Sequence, residues 1–286
     1  MTITSHYSSL KPYLFSVAYN MTGQVQEAED IVQDAFEDVL RKERADVQNV
    51  KSYMTRVVVN KAIDRLSHLK KQREIYPGPW LPEPYITPSD SAHHDILPYA
   101  FIHLMEELNS VERAVFILRE SFDYPYEEVA EICGLTVDNS RQVLHRAKQK
   151  LKRPLSASAT TNRQANGKIL QEFLKACLSR DATKLSELLK EDVLLYSDGG
   201  GKVVAARKIL EGIASVAKFL FGISSKTFDK WSAARSVSVN NGRALVVPDE
   251  NGIYMVLIPH IEDGKLLKIF LMRNPDKIFY ENPVTK

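Results

Sequence analysis

Apolar residues recur at helical spacing through the first quarter of the chain. In QEAEDIVQDAFEDVLRKE they form one stripe, made of Ile31, Val32, Ala35, Phe36, Val39 and Leu40. In KSYMTRVVVNKAIDRLSHLKKQRE a second stripe contains Met54, Val58, Ala62, Leu66 and Leu69. This spacing is typical of amphipathic helices, so residues 7–75 are predicted to be helical, with an interruption at Gly23. The run Val57–Val59 is a poor helix former, and burial must hold it in a helix.

A helix, a turn and a second, basic helix follow in YEEVAEICGLTVDNSRQVLHRAKQKL. We predict a first helix over residues 126–133, a turn at Gly134 and an N-cap at Thr136. The second helix has an inward face made of Ser140, Leu144, Ala147 and Leu151. Its other side carries basic and amide groups, the pattern of a DNA-reading helix-turn-helix. The alternative is an ordinary helical hairpin with a solvated charged face.

Composition changes mark the predicted domain boundaries. Five prolines fall between residues 77 and 88, and prolines at this density favour an extended path. Helices resume at LPYAFIHLMEELNSVERAVFILRE, where Asn109 or Ser110 is the predicted N-cap. A polar, small-residue stretch follows Arg153. We therefore predict a helical domain at 1–76, a linker at 77–97, a helix-turn-helix domain at 98–153, a linker at 154–167 and a third domain at 168–286.

The last third mixes two kinds of pattern. QEFLKACL and LSELLKE predict short helices, and a third helix is expected over roughly 205–221. The strand-like runs SVSV, RALVV, IYMVLIPHI and LLKIFLM are separated by the hairpin signals Asn241-Gly242, Asn251-Gly252 and Asp263-Gly264. These patterns predict an α+β domain with helices packed on a curved antiparallel meander.

Composition narrows the class of protein. A chain of 286 residues with 44% hydrophobic and 26% charged residues indicates a soluble protein of two or three domains. The net charge of +2 is too mild to identify a partner. Cys133 and Cys177 lack zinc spacing and are interpreted as buried, reduced thiols, with a lone disulfide as the alternative. Without a signal peptide pattern or an apolar run of about 18 residues, we expect a cytoplasmic protein with no membrane partner.

Two charged helix faces are candidate binding surfaces. Asp30 and Asp34 are four residues apart, and like charges at that spacing are unfavourable unless a basic partner or solvent compensates them. The next helix carries basic groups beside the rings of Tyr53 and His68, which fits single-stranded nucleic acid. A solvated face is the alternative for both helices.

These segments together resemble a known family. AEDIVQDAF, KSYMTRVVVNKAIDRL and the helix-turn-helix, in this order over residues 7–153, are similar to an extracytoplasmic-function (ECF) sigma factor of bacterial RNA polymerase. The last third resembles the SnoaL-like (NTF2-like) fold. WLPEP (80–84), DGGGK (198–202) and NPDK (274–277) resemble the motifs of the sigma-J-like subgroup, which carries a fused SnoaL-like extension. Ile278 replaces the leucine usual after the last motif.

The resemblance implies a multidomain fold, with two all-α sigma domains (region 2 and the region 4 helix-turn-helix) before an α+β domain. It implies an alternative sigma factor that binds core RNA polymerase, through its β and β′ subunits, and promoter DNA. The implied core-binding residues are Asp30, Gln33, Asp34 and Glu37. Those for the −10 element are Asn49, Ser52, Arg56, Asn60, Lys61 and Arg65. Those for the −35 element are Arg141, Gln142, His145, Arg146 and Lys148.

The resemblance also implies regulation by the fused domain. The implied intramolecular contacts are Trp80, Leu81, Pro82, Glu83, Pro84, Asp198, Gly199, Gly200, Gly201, Lys202, Asn274, Pro275, Asp276 and Lys277. A tryptophan in a proline-rich linker is expected to dock, either on the C-terminal domain or on the adjacent helices. No cofactor or metal is expected, and a small ligand of unspecified chemistry is a further candidate partner.

Two other functions stay open from the residues alone. One is a stand-alone helix-turn-helix regulator with a ligand-sensing domain. The other is a SnoaL-like enzyme fused to a helical region, with Tyr196, Asp198 and His260 as candidate acid and base groups. Asp198 precedes a glycine turn and is expected at a hairpin tip, which disfavours catalysis. DGGGK lacks the GxxxxGK[ST] spacing of a phosphate-binding loop.

Overall fold

The chain forms two compact units. The computed structural model describes residues 7–41, 49–87, 95–151, 163–250 and 252–278. The first unit, here called the helical unit, comprises residues 1–74, 94–97 and 101–155. The second, the α+β unit, comprises residues 75–93, 98–100 and 156–286. The proline-rich segment that carries WLPEP is therefore part of the α+β unit.

The helical unit contains the predicted helices. They are α1 (Tyr7–Thr22), α2 (Val25–Arg41), α3 (Val50–Glu74), α4 (Tyr99–Leu104), α5 (Ser110–Phe116), α6 (Tyr126–Cys133) and α7 (Val137–Leu151), where α4 begins in the α+β unit. Gly23, with φ of 67°, separates α1 from α2 as predicted. Val58 and Val59 are fully buried, which explains how α3 keeps its β-branched run.

Local capping explains where the helices of the second half of this unit begin and end. Asn109 caps α5 through a capping box with Glu112, so Asn109 rather than Ser110 is the N-cap. Gly134 adopts a left-handed conformation, with φ of 67°, and ends α6. Thr136 accepts a hydrogen bond from the backbone N–H of Asn139 at the start of α7.

The α+β unit packs helices on a seven-stranded sheet. Its helices are α8 (Arg163–Ser179), α9 (Ala182–Leu188), α10 (Ile213–Lys226) and α11 (Phe228–Ser232). Its strands are β1 (Ile86–Thr87), β2 (Leu189–Asp198), β3 (Leu210–Glu211), β4 (Arg235–Val239), β5 (Gly242–Asp249), β6 (Gly252–Glu262) and β7 (Lys265–Met272). The strand order is β1-β4-β5-β6-β7-β2-β3.

The sheet differs from the predicted antiparallel meander. β4 to β7 do form a meander, but β2 pairs with β7 in parallel. β2 was not predicted because its burial does not alternate along the strand, so it lacks the period of two that indicates a strand. The helix predicted over 205–221 begins only at Ile213, because β3 and a loop occupy the earlier positions.

The hairpin turns form at residues with positive φ, as predicted, but one turn lies one residue earlier than its predicted position. The Asp263-Gly264 turn joins β6 to β7, and both residues have positive φ, 51° and 75°. Between β4 and β5 the turn residues are Asn240 and Asn241, with φ of 49° and 61°, whereas Gly242 already pairs with Val239. Asn251 of the remaining signal lies outside the described residues.

Both faces of the sheet are buried, which explains the nearly continuous apolar run LLKIFLM in β7. Ile269 and Leu271 pack toward a core that includes Trp231. Phe270 and Met272 belong to a separate apolar cluster that includes Leu81 of WLPEP. The proline-rich segment therefore covers the sheet face opposite the helices. None of the helices in the described ranges is long and apolar enough to cross a bilayer.

Candidate functional site

The acidic residues predicted to bind polymerase share one exposed face of α2. Asp30, Gln33, Asp34 and Glu37 are all exposed, while Ala28, Ile31, Val32, Ala35, Phe36 and Val39 on the other side are buried. Gln33 donates a hydrogen bond of 3.1 Å to Glu37, and Arg41 forms an ion pair of 3.3 Å with the same carboxylate. Burial of the apolar stripe thus orients a ridge of carboxylates toward solvent.

The residues predicted for the −10 element lie along α3 and at its start. The side chain of Asn49 accepts a hydrogen bond of 3.1 Å from the backbone N–H of Ser52, which fixes the first turn of α3. Lys61 pairs with Asp38 at 2.7 Å, and Arg65 pairs with Glu27. The hydrogen bond with Glu27 raises the pKa of Arg65. Lys61 and Arg65, two of the cations predicted to contact the −10 element, therefore form ion pairs with carboxylates of α2.

A groove of about 410 Å³ lies between these two helices. It is lined by Glu27, Asp30, Ile31, Gln33, Asp34, Lys61, Asp64, Arg65 and His68. The structure thus brings part of the predicted polymerase face and part of the predicted −10 face to the same concave surface.

The remaining −10 residues include two that contact α6. Ser52 donates a hydrogen bond of 3.3 Å to Glu128, and Arg56 forms an ion pair of 3.2 Å with Glu131. Asn60 is exposed on α3. The start of the predicted −10 face is therefore in contact with the first helix of the helix-turn-helix.

The helix α7 presents the predicted −35 residues to solvent. Arg141, Gln142, His145, Arg146 and Lys148 are exposed, and the predicted inward residues Ser140, Leu144, Ala147 and Leu151 are buried. Arg141 pairs with Asp138 at 3.2 Å, Lys148 pairs with Glu120 at 2.9 Å, and His145 is 3.0 Å from Gln149. The geometry is that of a helix held on its partner by one face and open on the other.

In the α+β unit, the three motifs meet at the carboxylate of Asp198, which is almost fully buried. It accepts hydrogen bonds from the Tyr76 hydroxyl at 2.5 Å, the Leu81 N–H at 3.0 Å and the Gly200 N–H at 2.9 Å. The ammonium of Lys277 donates to it at 2.7 Å. The expectation that Asp198 lies at a hairpin tip is wrong, because it ends β2 inside the unit.

Lys277 links the third motif to the first. Its ammonium also donates to the Leu81 carbonyl at 2.7 Å and lies 4.3 Å from the ring centroid of Trp80. A cation over an aromatic face gains electrostatic attraction, and more so where water is excluded. Trp80 thus docks within the α+β unit. Tyr76 adds a second ring at 4.9 Å, and burial, reinforced by its hydrogen bond with Asp198, raises the pKa of Tyr76 above its usual range.

Close backbone approach explains the glycines of DGGGK. A Cβ at Gly200 would lie 2.5 Å from the side chain of Asn274, and the φ of 62° at Gly200 already favours glycine. Asn274 donates to the Tyr76 hydroxyl at 2.9 Å and caps the turn Pro275–Lys277. Lys202 and Asp276 are more exposed, and they form an ion pair of 2.6 Å.

Three further residues contribute to these contacts and were not predicted from the sequence. Tyr76 bridges Asp198 and Asn274, and Tyr99 donates a hydrogen bond of 2.7 Å to the carbonyl of Pro82. Asn240 accepts from the backbone N–H of Tyr85 at 3.0 Å. Each lies outside the quoted motifs, and periodicity gives no signal for such contacts. The position of Tyr76, beside the proline-rich stretch, was the available hint.

The candidate catalytic groups are not assembled for acid–base chemistry. The carboxylate of Asp198 is engaged by four donors, including a lysine. Tyr196 is buried and stacks on Phe270 with ring centroids 5.3 Å apart. His260 is part of β6 and pairs across the ladder with Lys268. Cys133 and Cys177 are both free thiols, and Cys177 is buried.

Comparisons with known proteins agree with this arrangement. The family model for sigma-70 region 2 matches residues 6–73, and that for sigma-70, region 4 matches residues 99–151. The ECF RNA polymerase sigma factor SigJ of Mycobacterium tuberculosis is 28% identical over 291 positions, covering 96% of this chain and 92% of SigJ. The probable ECF RNA polymerase sigma factor SigI of the same organism is 26% identical over 289 positions, covering 96% and 94%.

A solved structure extends the similarity to three dimensions. The crystal structure of the extracytoplasmic function sigma factor SigJ of Mycobacterium tuberculosis superposes with a TM-score of 0.79 at 27% identity. The match covers 96% of this chain and 97% of that one. The predicted fold class is confirmed: two all-α regions precede an α+β domain.

Proposed function

This chain belongs to the extracytoplasmic-function sigma factors of RNA polymerase, and from that premise we propose how its residues divide the work of transcription initiation. It is an alternative sigma factor that directs promoter-specific transcription. The observation that carries the assignment of roles is the pair of solvent-facing surfaces, acidic on α2 and basic on α7, each fixed by a buried apolar stripe.

The α2 ridge is the proposed docking surface for core polymerase. Asp30, Gln33, Asp34 and Glu37 present three carboxylates and one amide to solvent. Such a ridge suits a basic helical partner, and charge complementarity of this kind sets partner choice and the rate of encounter. We assign the contact to the β and β′ subunits of the core enzyme.

Promoter reading is divided between α3 and α7. Asn49, Ser52, Arg56, Asn60, Lys61 and Arg65 are proposed to hold the opened −10 strand. Unstacking a base costs a few kcal/mol, roughly, which cationic and stacking contacts must offset. Arg141, Gln142, His145, Arg146 and Lys148 are proposed to enter the −35 major groove, where Arg and Gln suit base edges. Because the two DNA-binding regions are linked, binding of one raises the effective concentration of the other at the promoter. Neither region therefore needs to bind DNA tightly by itself.

We expect charge reversal on α2 to weaken polymerase binding. Asp30→Arg/Asp34→Arg replaces two carboxylates of the ridge by cations, which repel a basic partner. We expect at least a tenfold loss of affinity for core enzyme, about 1.4 kcal/mol or more. The measurement is run-off transcription and co-purification with purified core polymerase. Glu29→Arg reverses one exposed carboxylate of the same helix outside the predicted set, and it is expected to lose less affinity than the double variant. Equal losses in both variants would remove α2 from the docking surface.

The α+β unit is proposed as a regulator in cis rather than an enzyme. What supports this is the buried cluster in which Asp198 and Lys277 hold residues 76–81, the segment that leaves α3 after Glu74. A carboxylate used in this way is unavailable for catalysis. We further propose that the protein is cytoplasmic and that it acts without a membrane-bound regulator. The α+β unit is also a candidate site for a small ligand.

Loosening the cluster is expected to change transcription. Asp198→Asn weakens the hold on residues 76–81, and we expect its run-off yield from a given promoter to differ from that of the unaltered chain by at least twofold. Glu187→Gln removes a carboxylate from the exposed pair with Lys184, outside the three motifs, and is expected to leave the yield unchanged. Identical yields for all three full-length chains, at equal folded concentration, would count against regulation in cis.

A further inference from the structure

The acidic face of α6 contacts the start of the proposed −10 surface. Glu128 and Glu131 are one turn apart on α6, and they meet Ser52 and Arg56, one turn apart on α3. A carboxylate on a serine hydroxyl and a carboxylate on a guanidinium reproduce the interactions that a DNA phosphate makes with the same groups.

Buried polar groups make this docking a defined arrangement. Next to the carboxylates, the hydroxyl of Tyr124 is 2.7 Å from that of Tyr13 and 3.2 Å from that of Thr55, which is fully buried. The rings of Phe122 and Tyr13 pack edge to face, with their centroids 5.3 Å apart. A buried hydroxyl cluster is stable only when all of its members are paired, so it favours one packing of α6 on α1 and α3.

A second polar network fixes α5 to the same two helices. Arg113, which is almost fully buried, pairs with Glu106 at 2.6 Å and donates to the Asn20 carbonyl at 3.2 Å. Arg73 of α3 pairs with Glu106 and donates to the Thr22 carbonyl at 3.0 Å. The helix-turn-helix region is therefore held on α1 and α3 at two separate places.

We propose that Glu128 and Glu131 act as an intramolecular mimic of the nucleic-acid backbone: their carboxylates cover Ser52 and Arg56 until DNA phosphates displace them. This inference rests on the role of α3 in −10 binding proposed above. The Arg56–Glu131 pair is about half exposed on the arginine side and 72% exposed on the glutamate side. Ion pairs of such exposure are weak and screened by salt, so DNA can replace them.

Three substitutions on α6 distinguish the proposed mimicry from a general effect of removing negative charge. Glu128→Gln and Glu131→Gln each remove the negative charge of a carboxylate that contacts α3. Glu127→Gln removes the same charge from an exposed neighbour on α6. The probe is a fluorescent single-stranded DNA of random sequence, about 12 nucleotides long, within the range that single-strand-binding modules cover. Affinity is measured with the full chain at low salt, without polymerase.

We expect Glu128→Gln and Glu131→Gln each to bind the probe about two- to fivefold tighter than Glu127→Gln. Hydrogen exchange of the peptide spanning residues 49–56 is expected to be faster in these two variants than in the control. Affinities that match Glu127→Gln overturn the mimic, whatever the exchange rates. That outcome would leave the run-off test with Asp30→Arg/Asp34→Arg unaffected, so failure here is distinguishable from failure of the proposed function.

Discussion

Asp198→Asn is expected to destabilise the α+β unit by about 3–5 kcal/mol, because it leaves the buried ammonium of Lys277 without its counter-charge. The side chain of Asp198 is 0% exposed and that of Lys277 is 11% exposed, so water can replace little of the lost interaction. Both tryptophans of the chain, Trp80 and Trp231, lie in this unit, so denaturant unfolding followed by tryptophan fluorescence reports on it selectively.

Two further variants make this prediction specific to the pair. Asp276→Asn, whose partner Lys202 is 56% exposed, should cost no more than about 1 kcal/mol. The double variant Asp198→Asn/Lys277→Met should lose less than the sum of its single changes, because it leaves neither charge buried alone. A loss in Asp198→Asn no larger than in Asp276→Asn would show that the buried pair does not stabilise the unit.

Glu106→Gln is expected to destabilise the helical unit by about 3–5 kcal/mol, for a related reason. It leaves two guanidinium groups, those of Arg113 and Arg73, buried beside each other without a carboxylate. The side chain of Arg113 is only 2% exposed. Thermal unfolding followed by far-ultraviolet circular dichroism, with exchange of the α5 amides, measures the change. Glu107→Gln, an exposed neighbour, is the matched control and should unfold like the unaltered chain.

The same residue predicts a pH dependence. Burial alone would raise the pKa of Glu106, but Arg113 and Arg73 outweigh it and hold the pKa below its usual range. The contribution of Glu106 to the free energy of unfolding is therefore complete when the pH is above its pKa in the unfolded chain, about 4.3. This contribution is lost as the pH falls through the lower pKa that Glu106 has in the folded protein. Stability of the helical unit should fall in that acidic window. Glu106→Gln should flatten this part of the profile, and an unchanged slope would exclude Glu106 as its source.

Sequence patterns identified the helical unit well because its determinants are local. The apolar stripes of α2 and α3 are set by residues three or four apart, and the ends of α6 and α7 by Gly134 and Thr136. Exposure of the predicted polymerase and −35 residues follows from the same periodicity. Pairing did not follow from it, since the partner of Arg56 is 75 residues away on α6.

The α+β unit was predicted less completely. Its meander was recognisable because turn residues such as Asp263 and Gly264 adopt positive φ locally. β2 was missed because burial does not alternate along it: residues 190–192 are intermediate or exposed, whereas residues 195–198 are all buried. Its parallel pairing with β7 also joins distant segments of the chain. The resemblance of DGGGK and NPDK to family motifs predicted that these residues make intramolecular contacts, but not that Asp198 would be buried.

By itself, the sequence determined most helices of the helical unit, the helix ends at Gly134 and Thr136 and the turn at Asp263-Gly264, because each depends on residues close together in the chain. Only the tertiary structure decided which charges meet. Tyr76 and Asp198 are 122 residues apart, and Asp198 and Lys277 are 79 apart. Burial of such pairs depends on how strands and loops exclude water around them, a property of the packed fold that no local periodicity records.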